Sequence, residues 1–108
     1  MRRAARLGKY HNVKTRVDGR LFASKREAAR YRELKLLLRA GEISDLVCQP
    51  AFSCDVDGVH VCTYIADFSY VDKGAHIVED VKGVRTALYS LKKKLVKVCC
   101  GVDVKEMR

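Results

Sequence analysis

Apolar side chains recur at helical spacing in two stretches of this chain and alternate with polar ones through much of the rest, so elements can be drawn before any chemistry is considered. Tyr31, Leu34 and Leu38 recur at intervals of three and four. Ser24 precedes them as a good N-cap, Glu27 stands three residues on as in a capping box, and Gly41 supplies a stop. A helix over Lys25 to Ala40 is predicted. Carrying its stripe back by four residues places Glu27 on the inward face. A second stripe, Leu88, Leu91, Leu95 and Val98, follows the suitable N-cap Thr86 and ends at Gly101, with Lys92, Lys93, Lys94 and Lys97 spread around the remaining surface.

Between and before these helices the pattern is extended. Val13 to Phe22 carries Asp18-Gly19 between short runs, a strong hairpin signal. Leu46 to Cys54 and Val59 to Val71 are joined through Asp57-Gly58, again hairpin chemistry, and Ala75 to Lys82 follows the Asp72-Lys73-Gly74 turn. Pro50, the only proline, marks an edge or bulge in the first of these strands. Val102 to Met107 alternates and adds a last strand. The predicted order is an N-terminal β-hairpin followed by αβββαβ, an α/β (α+β) arrangement with one mixed sheet flanked by helices. Residues 1–12 have no apolar period and read as a basic, mobile arm, and residues 13–108 as a single domain.

Composition narrows the partners. The 108 residues suffice for one domain with its own core, since 48% are hydrophobic. Twenty-two Lys and Arg against 13 Asp and Glu leave a net charge of +9, which favours polyanions such as nucleic acid. No apolar run approaches the roughly 20 residues needed to span a bilayer, and no secretory hydrophobic stretch follows Met1, so a cytoplasmic protein without membrane association is expected. Five cysteines, Cys48, Cys54, Cys62, Cys99 and Cys100, form no C-x-x-C pair and read as reduced, buried thiols rather than a disulfide framework or zinc ribbon. His11, His60 and His76 show no metal spacing.

The chemistry is concentrated in Tyr64-Ile65-Ala66-Asp67-Phe68 and, thirteen residues after its aspartate, Asp80-Val81-Lys82. Strand alternation projects Asp80 and Lys82 from one face, and an adjacent antiparallel strand can bring Asp67 beside them. Two carboxylates suit magnesium, which takes few protein ligands and keeps water and phosphate oxygens. The amine suits positioning of an attacking water. The competing reading is a structural ion pair between Asp67 and Lys82. Glu79 is expected on the opposite sheet face in a structural role, paired with a lysine. Glu27 has two readings, capping-box partner of Ser24 or inward acid at the metal. Arg3, Arg6, Lys9, Tyr10, Lys14, Lys25, Tyr89, Lys92, Lys93 and Lys94 are the candidate nucleic-acid contacts, against the alternatives of a solvated lysine face and aromatic core packing.

With these residues in view, the chain resembles small phage-encoded proteins of the PD-(D/E)xK nuclease superfamily. The resemblance rests on Lys9-Tyr10, Asp18-Gly19, Phe22 to Ala28, Gln49-Pro50, Tyr64 to Phe68 and Val78 to Gly83. It implies a restriction-endonuclease-like core, Asp67 and Asp80 as metal ligands, Lys82 as catalytic lysine and Glu27 as the helix-borne acid. Magnesium is the implied cofactor, with manganese as a substitute. Ala66 stands where the motif has proline and Asp80 where it usually has Glu, and the shorter Asp reaches less far towards a metal. The implied activity is that of an endodeoxyribonuclease acting as a homodimer on branched DNA, similar to a Holliday junction resolvase. A non-catalytic nucleic-acid-binding module and a nuclease subunit of a packaging or transposition complex are the rival expectations.

Overall fold

A computed structural model describes residues 13–81 and 85–107. The basic arm, the segment Lys82 to Val84 and Arg108 lie outside the described residues. In chain order the elements are β1 (Thr15–Val17), β2 (Arg20–Phe22), α1 (Lys25–Arg39), β3 (Ser44–Cys48), β4 (Ala51–Val56), β5 (Val59–Ile65), β6 (Phe68–Asp72), β7 (Ala75–Val81), α2 (Ala87–Cys100) and β8 (Val104–Met107). The class is α+β, as the hydrophobic rhythm predicts.

The two long strands expected around Asp57-Gly58 form one antiparallel ladder that breaks halfway. Cys48 pairs with Phe68 on one side of the break and Ala51 with Ile65 on the other, in unchanged register. Across the break itself, the Gln49 amide donates to the Asp67 carbonyl at 2.9 Å and the Ala66 amide to the Pro50 carbonyl at 3.0 Å. Gln49 has φ +55, and Pro50 has no amide hydrogen to offer a further neighbour, so the ladder bends here. The expected single sheet is therefore corrected. β3 and β6 join β7 and β8 in a four-stranded sheet of order β3-β6-β7-β8, while β4 and β5 leave as a separate two-stranded ribbon, and β1 and β2 form a third. The far end of the ribbon turns through Asp57 and Gly58, both at positive φ, which is the primed turn that matches strand twist.

The antiparallel β3-β6-β7 portion becomes parallel at β7 and β8, because α2 carries the chain back across the sheet. Each helix covers one face. Ala28, Tyr31 and Leu34 of α1 pack with Phe22, Ile43, Phe68 and Tyr70. Tyr89 and Val96 of α2 pack with Cys54, Tyr64, Ala66, Val78 and Val104.

α1 follows the predicted stripe, with Leu38 half-buried at its margin. α2 does not. Leu88, Leu91 and Val98 are 61%, 54% and 82% exposed, and the face turned inward carries Tyr89 and Val96, with Leu95 packed at its edge. Apolar residues occupy more than half of this helix's circumference, so spacing alone does not choose between two overlapping stripes. The sheet chooses the one whose tyrosine and valine fit beside Val78 and Val104.

Candidate functional site

β7 is flanked on both sides, so its last residues are held by neighbours on each edge and each face. Phe68 pairs with Glu79, which brings Asp67, one residue earlier, level with Asp80. The two aspartates interlock. The Asp67 amide donates to Asp80 Oδ1 at 2.9 Å, and the Val81 amide donates to Asp67 Oδ2 at 2.7 Å. Asp80 Oδ2 accepts from the Tyr64 hydroxyl, delivered by the ribbon. Asp80 is 1% exposed and Asp67 half-buried. A buried carboxylate is tolerated only when its lone pairs are met, and for Asp80 a backbone amide and a phenol meet them here. The pair sits where β7 ends, one residue before Lys82, which lies outside the described residues.

The third strand continues the row. Asp80 pairs with Glu106 of β8. Glu106 Oε2 accepts from the Tyr89 hydroxyl at 3.0 Å and from Lys93 Nζ at 3.3 Å, with Arg85 Nε at 3.5 Å. Burial works to raise the Glu106 carboxyl, but the donations from Tyr89 and Lys93 outweigh it and hold the group below the usual carboxylate range. Nothing in the local pattern of the last strand singles out Glu106. Its place depends on the parallel register set by the α2 crossover.

Glu79 points to the opposite face, as alternation predicts, but its partner is an arginine rather than the expected lysine. Arg30 Nε and a second guanidinium nitrogen donate to its two oxygens at 2.7 and 3.1 Å, and the Tyr70 hydroxyl adds a bond of 2.6 Å. The fork geometry of arginine fills both oxygens of a fully buried carboxylate, which a lysine does not do. The hydrogen bond to Glu79 raises the Arg30 pKa further, and burial, reinforced by Glu79, pushes Tyr70 up to about 12.

Glu27 occupies the first turn of α1, one turn before Arg30, on the helix that covers the Glu79 face. Its amide is capped by Ser24 Oγ at 3.1 Å, so the cap at this end of α1 is present. Among the described residues no three Asp, Glu, His or Cys side chains gather so as to hold a metal.

Of the candidate nucleic-acid contacts, Lys14, Lys25 and Lys94 are exposed and Lys92 is half-buried. Lys93 is engaged by Glu106. Tyr89, for which nucleic-acid contact and core packing were both expected readings, packs in the core, 8% exposed with its hydroxyl on Glu106. Arg3, Arg6, Lys9 and Tyr10 lie outside the described residues.

A Ser-His-Asp grouping on the ribbon invites comparison with a catalytic triad. Ser53 Oγ and Asp55 Oδ1 approach the same ring nitrogen of His60, at 3.0 and 2.8 Å. A triad needs the serine and the carboxylate on opposite ring nitrogens, so this is an exposed hydrogen-bonded cluster. His60 and then Ser53 hold the Asp55 carboxyl below its usual range.

Residues 7–105 match a family model described as protein of unknown function, DUF1064. The chain belongs to this family. The match takes in Asp67, Glu79 and Asp80 alike. No curated protein matches the chain. No helix among the described residues is long and apolar enough to cross a membrane.

Proposed function

We propose that this DUF1064 protein is a magnesium-dependent endodeoxyribonuclease of the PD-(D/E)xK type, with a restriction-endonuclease-like core, that hydrolyses phosphodiester bonds in branched DNA. The observation that carries the reading is the interlocked pair Asp67 and Asp80 at the end of β7, immediately before Lys82. Two converging carboxylates are hard oxygen donors of the number magnesium usually takes from protein, so the donor set fits the ion. Bound there, the metal would supply Lewis acidity toward a phosphoryl oxygen and lower the pKa of a water. The protein's own part is to hold the carboxylates in place through the amides of Asp67 and Val81 and the Tyr64 hydroxyl. Lys82 would orient the attacking water. The net charge of +9 supports a polyanionic substrate. Action as a homodimer on a two-fold substrate such as a four-way junction, with manganese replacing magnesium, belongs to the same reading.

One observation favours a second reading, a non-catalytic nucleic-acid-binding module. Both oxygens of Asp80 already accept hydrogen bonds, as in a structural network. The two readings separate on a labelled four-way junction and a matched linear duplex, each incubated in magnesium and in EDTA. The nuclease reading expects symmetrical cuts in the junction in magnesium, and Asp80→Asn is expected to cut at least 100-fold more slowly while retaining binding, because a metal ligand is lost and phosphate repulsion falls. Binding without cutting by the wild type would support the binding module, or a nuclease subunit that needs a packaging or transposition partner. Wild-type cutting that survives in Asp80→Asn would remove Asp80 from the chemistry.

A further inference from the structure

Four of the five cysteines come together at the end of the molecule formed by the β4-β5 ribbon and the last turn of α2. Cys54 and Cys62 are direct cross-strand partners. They stand two pairs along the ladder from Phe52 and Tyr64, whose rings stack at 6.5 Å, on the face turned to α2. Cys54 is fully buried and Cys62 half-buried. Cys99 packs against the same cluster, and the exposed Cys100 donates to the Ser53 carbonyl at 3.3 Å. The proton of Cys100 is thus directed at backbone.

We propose that Cys54 and Cys62 form a reversible, peroxide-responsive disulfide across the ribbon. Three features of the geometry support it. Cys54 and Cys62 stand directly opposite one another in an antiparallel ladder, where paired residues have Cα separations of about 4.5–5.5 Å. Disulfides span Cα separations of about 4.4–6.8 Å. The side chains must approach by about 1 Å for their Cβ atoms to reach bonding range, and the register shift between Cys54 and Asp55 places a bulge beside them that can absorb this movement.

Burial also divides the roles. Burial pushes the Cys54 thiol up to about 11, so it stays protonated, while Cys62 is the member of the pair with access to solvent. In the first step the Cys62 sulfur attacks a peroxide oxygen, the O–O bond breaks, and Cys62 becomes a sulfenic acid with release of water, or of an alcohol from an organic peroxide. In the second, the Cys54 sulfur displaces the hydroxyl from Cys62, and the Cys54 proton leaves with it as water. Two thiols lose two electrons and two protons, and the peroxide gains them. A thiol reductant reverses the bond by exchange. Metal coordination by the same sulfurs is not the reading, since among the described residues no three such side chains are set to hold an ion. The inference is independent of nuclease chemistry.

The test is intact-mass and peptide analysis of the full chain after reduction, then treatment with a few equivalents of hydrogen peroxide and alkylation of remaining thiols. The expected result is a loss of two hydrogens, two fewer alkylation sites, and one peptide pair joined through Cys54 and Cys62, all reversed by dithiothreitol. Cys54→Ser and Cys62→Ser should each abolish the pair, and Cys48→Ser should leave it. Circular dichroism establishes that the variants fold, and the half-buried Cys62 gives the answer if a substitution at Cys54 prevents folding. A bond between Cys99 and Cys100, a bond between chains, or sulfinic acid at Cys62 beside reduced Cys54 would each overturn the assignment.

Discussion

Arg30 and Glu79 show most directly what single residues contribute. Glu79 has no exposed surface, so removing the guanidinium leaves a buried carboxylate that among the described residues keeps only the Tyr70 hydroxyl as a side-chain donor. Arg30→Ala should lower unfolding free energy by about 3–5 kcal/mol in urea titrations, and the double change Arg30→Met with Glu79→Leu should recover much of that loss, because the desolvation cost goes with the pair. Glu106 supplies a pH-dependent counterpart. Its folded pKa is depressed, so its stabilising contribution is present above the unfolded value of about 4.3 and is lost as pH falls through the folded value. Stability measured from pH 6 to pH 2 should therefore fall less steeply in Glu106→Gln than in the wild type. An unchanged acid limb would show that other carboxylates dominate it. Asp80 and the opposed direction of Glu79 were legible from alternation along one strand, and the approach of Asp67 from the pairing of that strand with its neighbour. The roles of Glu106 and Arg30 were not, because each meets its partner from an element distant in sequence.

At the level of elements, α1 and α2 show when periodicity suffices. α1 buries Ala28, Tyr31 and Leu34 as their spacing requires and leaves Leu36 and Leu37 exposed. α2 carries leucines and valines on more than one side, and packing against Val78 and Val104 selects Tyr89 and Val96 over Leu88, Leu91 and Val98. Both caps form as the sequence predicts, through Ser24 and Thr86. Ser24→Ala should cost about 1 kcal/mol by thermal or urea unfolding. Glu27→Gln is the informative companion. With Glu27 a helix-start residue only, cleavage of the junction should stay within about twofold of wild type. A fall in cleavage of 100-fold or more, with stability unchanged, would place Glu27 in the proposed reaction.

For the whole molecule, charge and sheet topology set what partners can reach the site. Lys92 begins the cluster Lys92 to Lys94 on α2, which follows directly on the segment leaving Asp80, and Lys94 is exposed. Substituting Lys92 and Lys94 together by Gln should weaken DNA binding and reduce the slope of log affinity against log salt by up to about two. A fluorescence titration at several salt concentrations measures it, and an unchanged slope would mark these lysines as a solvated face. Lys93 is left in place in this variant because its bond to Glu106 would mix a folding effect into the binding result.

The sequence by itself determined the α+β class, the helices and their caps, the hairpin turns, the special position of Pro50, and the convergence of Asp67 with Asp80. All are local: a turn depends on the φ its residues allow, a cap on one hydroxyl, and side-chain direction in a strand on a period of two. Only the tertiary structure decided that one ladder bends at Gln49 and Pro50 into a sheet strand and a ribbon, that α2 buries Tyr89 rather than its leucine stripe, and which residues complete the acidic cluster. Those outcomes depend on which surfaces are removed from water together, and burial is a property of pairs of elements that no single stretch of chain encodes.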